Sequence, residues 1–497
     1  MRLNLQSNQI ANMKSVFRVL LVLFAFSQIQ AAEKPAASKG YAIKVRLTGL
    51  KDTVCYLAYH FGDKQYLKDT AKVDSKGYMT FEGKEKLLTG IYLVVLPSKT
   101  NFEFLIPDAQ QTFSLETDTA KMIEHMKVSG SKENEIFYGF LQFLGKKTKQ
   151  ADPLVEAYKK TKDTKKDSAT IYQTKLGNIE KEVKAQRAKV IAENPNTLVA
   201  KIFKASTDLE IPEAPTLANG KKDSTFAYHW MKKHYFDNVD FTDDRFLRTP
   251  LLHSKIKYYL ENLTPQAPDS INKSADFIVE KARPNKEVFK YVVWNITNTY
   301  ETSNIMGMDA IFVHMAEKYY LSGQAFWIDS TVKAKINERY TTLKPLLLGK
   351  RAPALSLPDS SNNFHSIYEQ KGKFTVLYFW DPNCGHCQKE TPRLNEFFKD
   401  PKNKDVSIYA VSTDHPKDWK KFIREKDLKF LNVCNAISDK TVYYDLRKGY
   451  DVYSTPTIFV LDEKKEIIAK RLGVEQLGEF IEGYTKMIEA RDKKKTN

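Results

Sequence analysis

The near-continuous apolar run Phe374-Thr-Val-Leu-Tyr-Phe-Trp380, followed at once by Cys384-Gly-His-Cys387, constrains this 497-residue chain more than any other feature. A run of this kind reads as a strand buried on both faces, and such strands lie in sheets covered by helices. Residues 388–398 carry helical spacing, so the C-x-x-C sits on a strand-to-helix turn. There the free N–H groups and the positive dipole end of the helix favour a thiolate on the first sulfur. The second cysteine lies one turn on, close enough to close a short disulfide. His386 between them can donate a hydrogen bond or place positive charge near Cys384. Either effect lowers the Cys384 pKa and stabilises the reduced form, which makes the pair more oxidising.

Zinc is the competing use of a C-x-x-C, and it needs four ligands. The two other cysteines, Cys55 and Cys434, stand singly in strand-like segments. They read as small buried hydrophobes, with Cys434 also a candidate resolving thiol. His229 and His234 are five apart, about 140° around a helix axis, and face apart. No metal and no organic cofactor is therefore expected.

Composition narrows the classes further. With 42% apolar and 12% aromatic residues the chain can bury a sizeable core, which excludes wholesale disorder. Four cysteines exclude a disulfide-stapled scaffold. The 78 Lys and Arg exceed the 61 Asp and Glu by 17, but they are interleaved with acids and read as a solvated surface. Lys14 and Arg18, the apolar stretch 19–26, and Ala31 and Ala32 describe a secretory signal peptide over residues 1–32. The stretch is shorter than the ~20 apolar residues that span a bilayer. The expected product is an exported periplasmic protein with no transmembrane segment after cleavage and no nucleic-acid partner.

Three regions follow. Residues 33–119 alternate in short strands with turns at Asp74-Ser-Lys-Gly77, Pro97-Ser98 and Pro107-Asp108, which predicts a small β-sandwich-like domain. Residues 120–346 have helical spacing broken by prolines, an α-helical module without visible chemistry. Residues 347–497 alternate strands and helices, an α/β domain.

On these residues the segment 349–490 resembles the thioredoxin fold, and more closely the TlpA/ResA-type thiol–disulfide oxidoreductases of the bacterial envelope, within the AhpC/TSA–thioredoxin superfamily. Gly349-Lys-Arg-Ala-Pro353 resembles the family's leading segment, Trp380 its strand-end tryptophan, and Cys384-Gly-His-Cys387 its redox pair. Thr455-Pro456-Thr457 before the strand 458–461 resembles its cis-proline segment. The resemblance implies a cis Thr455–Pro456 bond facing the disulfide, with Trp380, Thr455 and Pro456 on the substrate-binding side. It places Glu390 near the pair, as a base for Cys387 or as a solvated first-turn acid. The β-plus-helical-plus-thioredoxin order resembles multi-domain Bacteroidetes envelope proteins.

The departures matter. Tyr378 stands where thioredoxin has a buried Asp, and Asn383 where it has Trp. Gly-His is the dipeptide of protein disulfide isomerases, whose reference potential of about −180 mV is milder than thioredoxin's, about −270 mV. The resulting expectation is a thiol–disulfide oxidoreductase working in the reducing direction. Its partners are disulfide-bearing envelope proteins and a membrane thiol electron donor. One alternative is a thiol peroxidase, against which Asp381 and Leu377 stand where that class has Thr or Ser and Pro. The other is an envelope binding protein with an accessory redox domain.

Overall fold

A computed structural model describes residues 40–164, 166–413, 416–438 and 441–496; the predicted signal segment lies outside them. Eight strands open the described residues: β1 Tyr41–Thr48, β2 Thr53–Phe61, β3 Lys64–Val73, β4 Tyr78–Gly83, β5 Gly90–Val95, β6 Asn101–Ile106, β7 Thr112–Asp118 and β8 Lys127–Ser129. Two four-stranded sheets, ordered β4-β1-β7-β8 and β3-β2-β5-β6, face each other across one core. The alternation in β1 explains this: Tyr41, Ile43, Val45 and Leu47 are buried and the intervening residues are not. Cys55 on β2 is fully buried, and burial pushes its thiol up to about 11. β8 pairs with β7, so the β layer runs past residue 119.

Among the described residues nine α-helices follow: α1 Lys132–Thr161, α2 Lys166–Glu193, α3 Leu198–Ala205, α4 Phe226–His234, α5 Pro250–Asn262, α6 Pro268–Ala282, α7 Lys286–Glu301, α8 Asp309–Met315 and α9 Ser330–Leu343. Caps and prolines set several starts: Thr197, Asn285 and Asp329 accept backbone N–H bonds, and Pro250 and Pro268 open their helices. The main helical core gathers aromatic and aliphatic side chains from α5 to α8, among them Tyr259, Ile278, Val292 and Ile311. The β-sandwich is joined to this module by main-chain bonding. Gly62, at φ 61°, donates to the Leu247 carbonyl at 2.8 Å. A Cβ there would meet the Tyr291 hydroxyl at 2.2 Å, so both the turn and the close approach need glycine.

The last domain contains β9 Ser356–Pro358, β10 Phe364–Ser366, β11 Phe374–Trp380, α10 Gly385–Lys399, β12 Val406–Ser412, α11 Pro416–Glu425, β13 Leu431–Cys434, β14 Ala436–Ser438, β15 Thr441–Val442, α12 Leu446–Tyr450, β16 Thr457–Leu461, β17 Ile467–Lys470 and α13 Leu477–Thr496. Five strands make the central sheet, in the order β13-β12-β11-β16-β17. β11 is parallel to β12 and antiparallel to β16. All seven residues of β11 are buried. Val376, Tyr378 and Trp380 share one core with Cys387 and Leu394 of α10, whereas Leu377 and Phe379 pack on the other face with Tyr450 of α12. The chain is thus multi-domain: a β-sandwich, a helical middle and a C-terminal α/β thioredoxin-like domain.

Candidate active site

The site is built where β11 ends and α10 begins. β11 is central and fully covered, so its C-terminal end is fixed. Cys384 caps α10 with extended backbone, φ −78° and ψ 120°. Its N–H donates to the Asp381 carbonyl at 3.1 Å, and its carbonyl accepts from Gln388 at 3.0 Å. Asp381 holds the turn through its side chain, which accepts from the Asn383 N–H at 2.7 Å, and Asn383 in turn donates to Asp418 at 3.0 Å. The Cys384 side chain is half-buried; Cys387, one turn inward, has no exposed surface.

This placement makes the two thiols unequal. Burial pushes Cys384 up, but the backbone N–H of Cys387, the Thr455 hydroxyl, the Cys387 thiol and the backbone N–H of His386 outweigh it, and its pKa is lowered. Burial dominates at Cys387 and pushes it up to about 12, helped by the neighbouring Cys384 and opposed by Asp381 and Thr455. One sulfur is an available nucleophile and the other a protonated reserve.

Thr455 meets this pair from the segment leading into the neighbouring strand β16. The Cys384 thiol donates to the Thr455 carbonyl at 3.3 Å, and the Thr455–Pro456 bond is cis. Both residues are half-buried, so the ledge they form beside Cys384 is accessible. Glu390 lies on the first turns of α10. Arg393 donates to its Oε1 at 2.8 Å; its Oε2 is buried and takes no hydrogen bond from any described residue.

One expectation needs correction. Trp380 has no exposed surface and packs on Phe422 at 5.1 Å and Tyr378 at 6.5 Å between ring centres. It is a core residue under the site and does not reach a substrate. The His386 ring is exposed, and the residue acts on Cys384 through its backbone N–H. Cys434 is buried at the end of β13 with its thiol directed to the Ala436 carbonyl at 3.8 Å.

Tyr378 and Thr391, absent from the residues expected at the site, form a pair of fully buried hydroxyls 2.9 Å apart. Its signal was present: Thr391 follows Cys387 by four residues, on the same helix face. Tyr378 therefore fills the place of the buried acid with a neutral hydroxyl held above its ordinary pKa, chiefly by burial. No cluster of three or more His, Cys, Asp or Glu among the described residues is arranged to hold a metal ion. Asp381, three residues before Cys384, supplies a carboxylate where a peroxidase would need a hydroxyl. Chemically, the arrangement suits two-step exchange at sulfur.

Three families match along the chain: the AhpC/TSA family over residues 348–470, a domain of unknown function (DUF5106) over 159–345 and another (DUF4369) over 41–137. The C-terminal domain is similar to the thiol-disulfide oxidoreductase ResA of Bacillus cereus (strain ZK / E33L), at 34% identity over 142 residues, 28% of this chain and 78% of that protein. It is also similar to the sporulation thiol-disulfide oxidoreductase A of Bacillus subtilis (strain 168), at 31% identity over 137 residues, 26% of this chain and 79% of that one. Among solved structures, a domain of a possible thiol-disulfide isomerase from Cytophaga hutchinsonii ATCC 33406 is 40% identical. It covers 29% of this chain and 98% of that one, with a TM-score of 0.27.

Proposed function

Because the chain belongs to the ResA-like thiol–disulfide oxidoreductases of the thioredoxin fold, we propose that it reduces disulfides of envelope proteins through Cys384 and Cys387. The observation that carries this reading is the asymmetry of the pair: Cys384 is lowered and half-exposed, whereas Cys387 is buried and pushed up to about 12.

The Cys384 thiolate attacks one sulfur of a substrate disulfide. A mixed disulfide forms, and the first substrate sulfur leaves as a thiolate that takes a proton from water. Cys387 then gives up its proton, and its sulfur attacks the Cys384 sulfur. The mixed disulfide breaks, the second substrate sulfur leaves, and the protein pair is left oxidised by two electrons. The unpartnered Oε2 of Glu390 is the proton acceptor this step calls for, with Arg393 holding the other oxygen. Thr455 and Pro456 form the docking ledge for the substrate chain. A membrane thiol donor returns two electrons to the pair.

The exported location rests on the basic and apolar pattern of residues 1–32. No helix among the described residues is long and apolar enough to cross a membrane. The reducing direction is supported by the family and set against the Gly-His dipeptide. The test is insulin disulfide reduction with dithiothreitol as electron source. Cys384→Ser should abolish turnover; full activity in that variant would exclude the proposed chemistry.

A further inference from the structure

Asp451 ends α12 in the left-handed region, at φ 55°, and only 6% of its side chain is exposed. Two guanidinium groups hold it. Arg339 of α9, in the helical module, bonds both carboxylate oxygens, with its second contact at 3.3 Å. Arg471, just beyond β17, donates to Oδ2 at 2.9 Å. Arg471 is itself left-handed, at φ 59°, and its N–H donates to the Ile458 carbonyl at 2.8 Å. Ile458 follows Pro456 by two residues. At the other end, the Val452 N–H donates to the Leu446 carbonyl at 3.2 Å.

The stretch from Asp451 to Ile458 is therefore fixed at both ends, and both ends lead to the Asp451 carboxylate. In its middle lies Thr455, whose carbonyl is 3.3 Å from the Cys384 sulfur. A second anchor to the helical module holds β17, the strand paired with β16. Lys470 of β17 pairs with Asp309 of α8 and donates to the Leu346 carbonyl at 2.7 Å. A carboxylate this buried is held by its cations in one geometry, because leaving it unpaired is costly.

We infer that Arg339 is a positioning residue for thiol exchange: through Asp451 the helical module sets where the Thr455 ledge stands relative to Cys384. The inference rests on the redox reading above, and it gives the helical module a role in docking a substrate chain. Two kinds of disulfide should then behave differently. A small one meets only the Cys384 sulfur. A polypeptide disulfide must also lie along Thr455 and beside Tyr453, which is 68% exposed.

The test uses the full chain with Arg339→Met, Arg339→Lys, Asp451→Asn and the double variant Arg339→Met/Asp451→Asn. Asn tolerates the left-handed backbone of position 451, so Asp451→Asn keeps the test alive where Arg339→Met misfolds. Reduced protein is assayed with 5,5′-dithiobis(2-nitrobenzoate), and catalytic protein with insulin and dithiothreitol. The expected result is a rise of about tenfold in KM for insulin in Arg339→Met at little-changed kcat. The rate with the small disulfide should stay within about twofold, and Arg339→Lys should recover part of the loss. The double variant should lose less than the two single losses combined, because both changes cut the Arg339–Asp451 contact, while Asp451→Asn also weakens the Arg471 contact. An unchanged insulin KM, an equal loss in both assays, or strictly additive losses would each overturn the inference. A wild-type protein inactive toward both disulfides would instead sink the redox reading itself.

Discussion

The Cys384 sulfur lies 3.3 Å from the Thr455 carbonyl oxygen, 71 residues away in sequence. The contact joins the redox helix to the segment before β16, and the sheet between them fixes it: β11 and β16 are hydrogen-bonded neighbours. A nucleophilic sulfur and an open backbone ledge are thereby held on one side of the domain. The opposite side of Cys384 leads inward to Cys387.

The inequality of the two thiols predicts their pH behaviour. Cys384 should be alkylated by iodoacetamide at a pH below the ordinary cysteine range, near 8.5, whereas Cys387 should stay inert until strongly alkaline pH. The lowered Cys384 pKa stabilises the reduced fold above the unfolded value, and that stability is lost as pH falls through the folded value. The raised Cys387 pKa acts oppositely: its stability is present below the unfolded value and lost as pH rises toward about 12. Mass spectrometry after timed alkylation from pH 5 to 10 checks the order of reactivity. Equal rates at both cysteines would contradict it.

Removal of the acceptor at Glu390 should slow the second step selectively. Glu390→Gln should lower the rate of mixed-disulfide resolution by about 10²-fold while leaving the first attack by Cys384 nearly unchanged. Acid-quenched intermediates separated by mass should show the Cys384 adduct accumulating. Resolution at the wild-type rate would remove Glu390 from the mechanism and leave it an ordinary helix acid paired with Arg393.

Much of this site was legible in the chain, because β11 and α10 are strong local patterns: a run buried on both faces, then a helix spacing opened by two cysteines. Thr457–Leu461 was legible for the same reason. The edge strand Lys64–Val73 was not, since most of its side chains are exposed and it is a strand only by pairing with β2. The thirty-residue helix Lys132–Thr161 was hidden too; only Asn134, Tyr138 and Phe140 on it are buried, so its apolar stripe is short. Trp380 was misplaced because a strand-end tryptophan gives no sign of which way it faces. The Arg339–Asp451 pair spans 112 residues, a separation at which no periodicity speaks.

The helical module should resist acid through the buried Asp243 and the half-buried Asp276. Burial raises Asp243, but Arg245 and Lys201 outweigh it and hold it down to about 2; Asp276 is held at a similar value against burial by His314, Lys318 and Tyr319. Such groups stabilise the fold above their unfolded value, about 3.9, and the stability is lost as pH falls toward 2. Asp243→Asn should lower the melting temperature at pH 7 and flatten its decline between pH 5 and 2. Differential scanning calorimetry across that range decides it; an unchanged acid slope would contradict the assignment.

The joint between the helical module and the thioredoxin-like domain should be costly to cut on one side. Lys470 and Asp309 are 7% and 15% exposed. Lys470→Met leaves the Asp309 carboxylate buried alone and should destabilise by about 3–5 kcal/mol, whereas Lys470→Met with Asp309→Leu should recover most of it. Urea unfolding monitored by tryptophan fluorescence measures both. A double variant no more stable than the single one would contradict the pairing argument.

The central claim is that Cys384 and Cys387 form a reversible two-electron couple, and its most direct test is the reduction potential of the pair in glutathione buffers of known ratio. The account predicts a single couple, at roughly −270 mV for a reductant, that vanishes in Cys387→Ser. A couple at roughly −120 to −180 mV would keep the chemistry but reverse the proposed direction. No reversible couple, or one that persists without Cys387, would contradict the account.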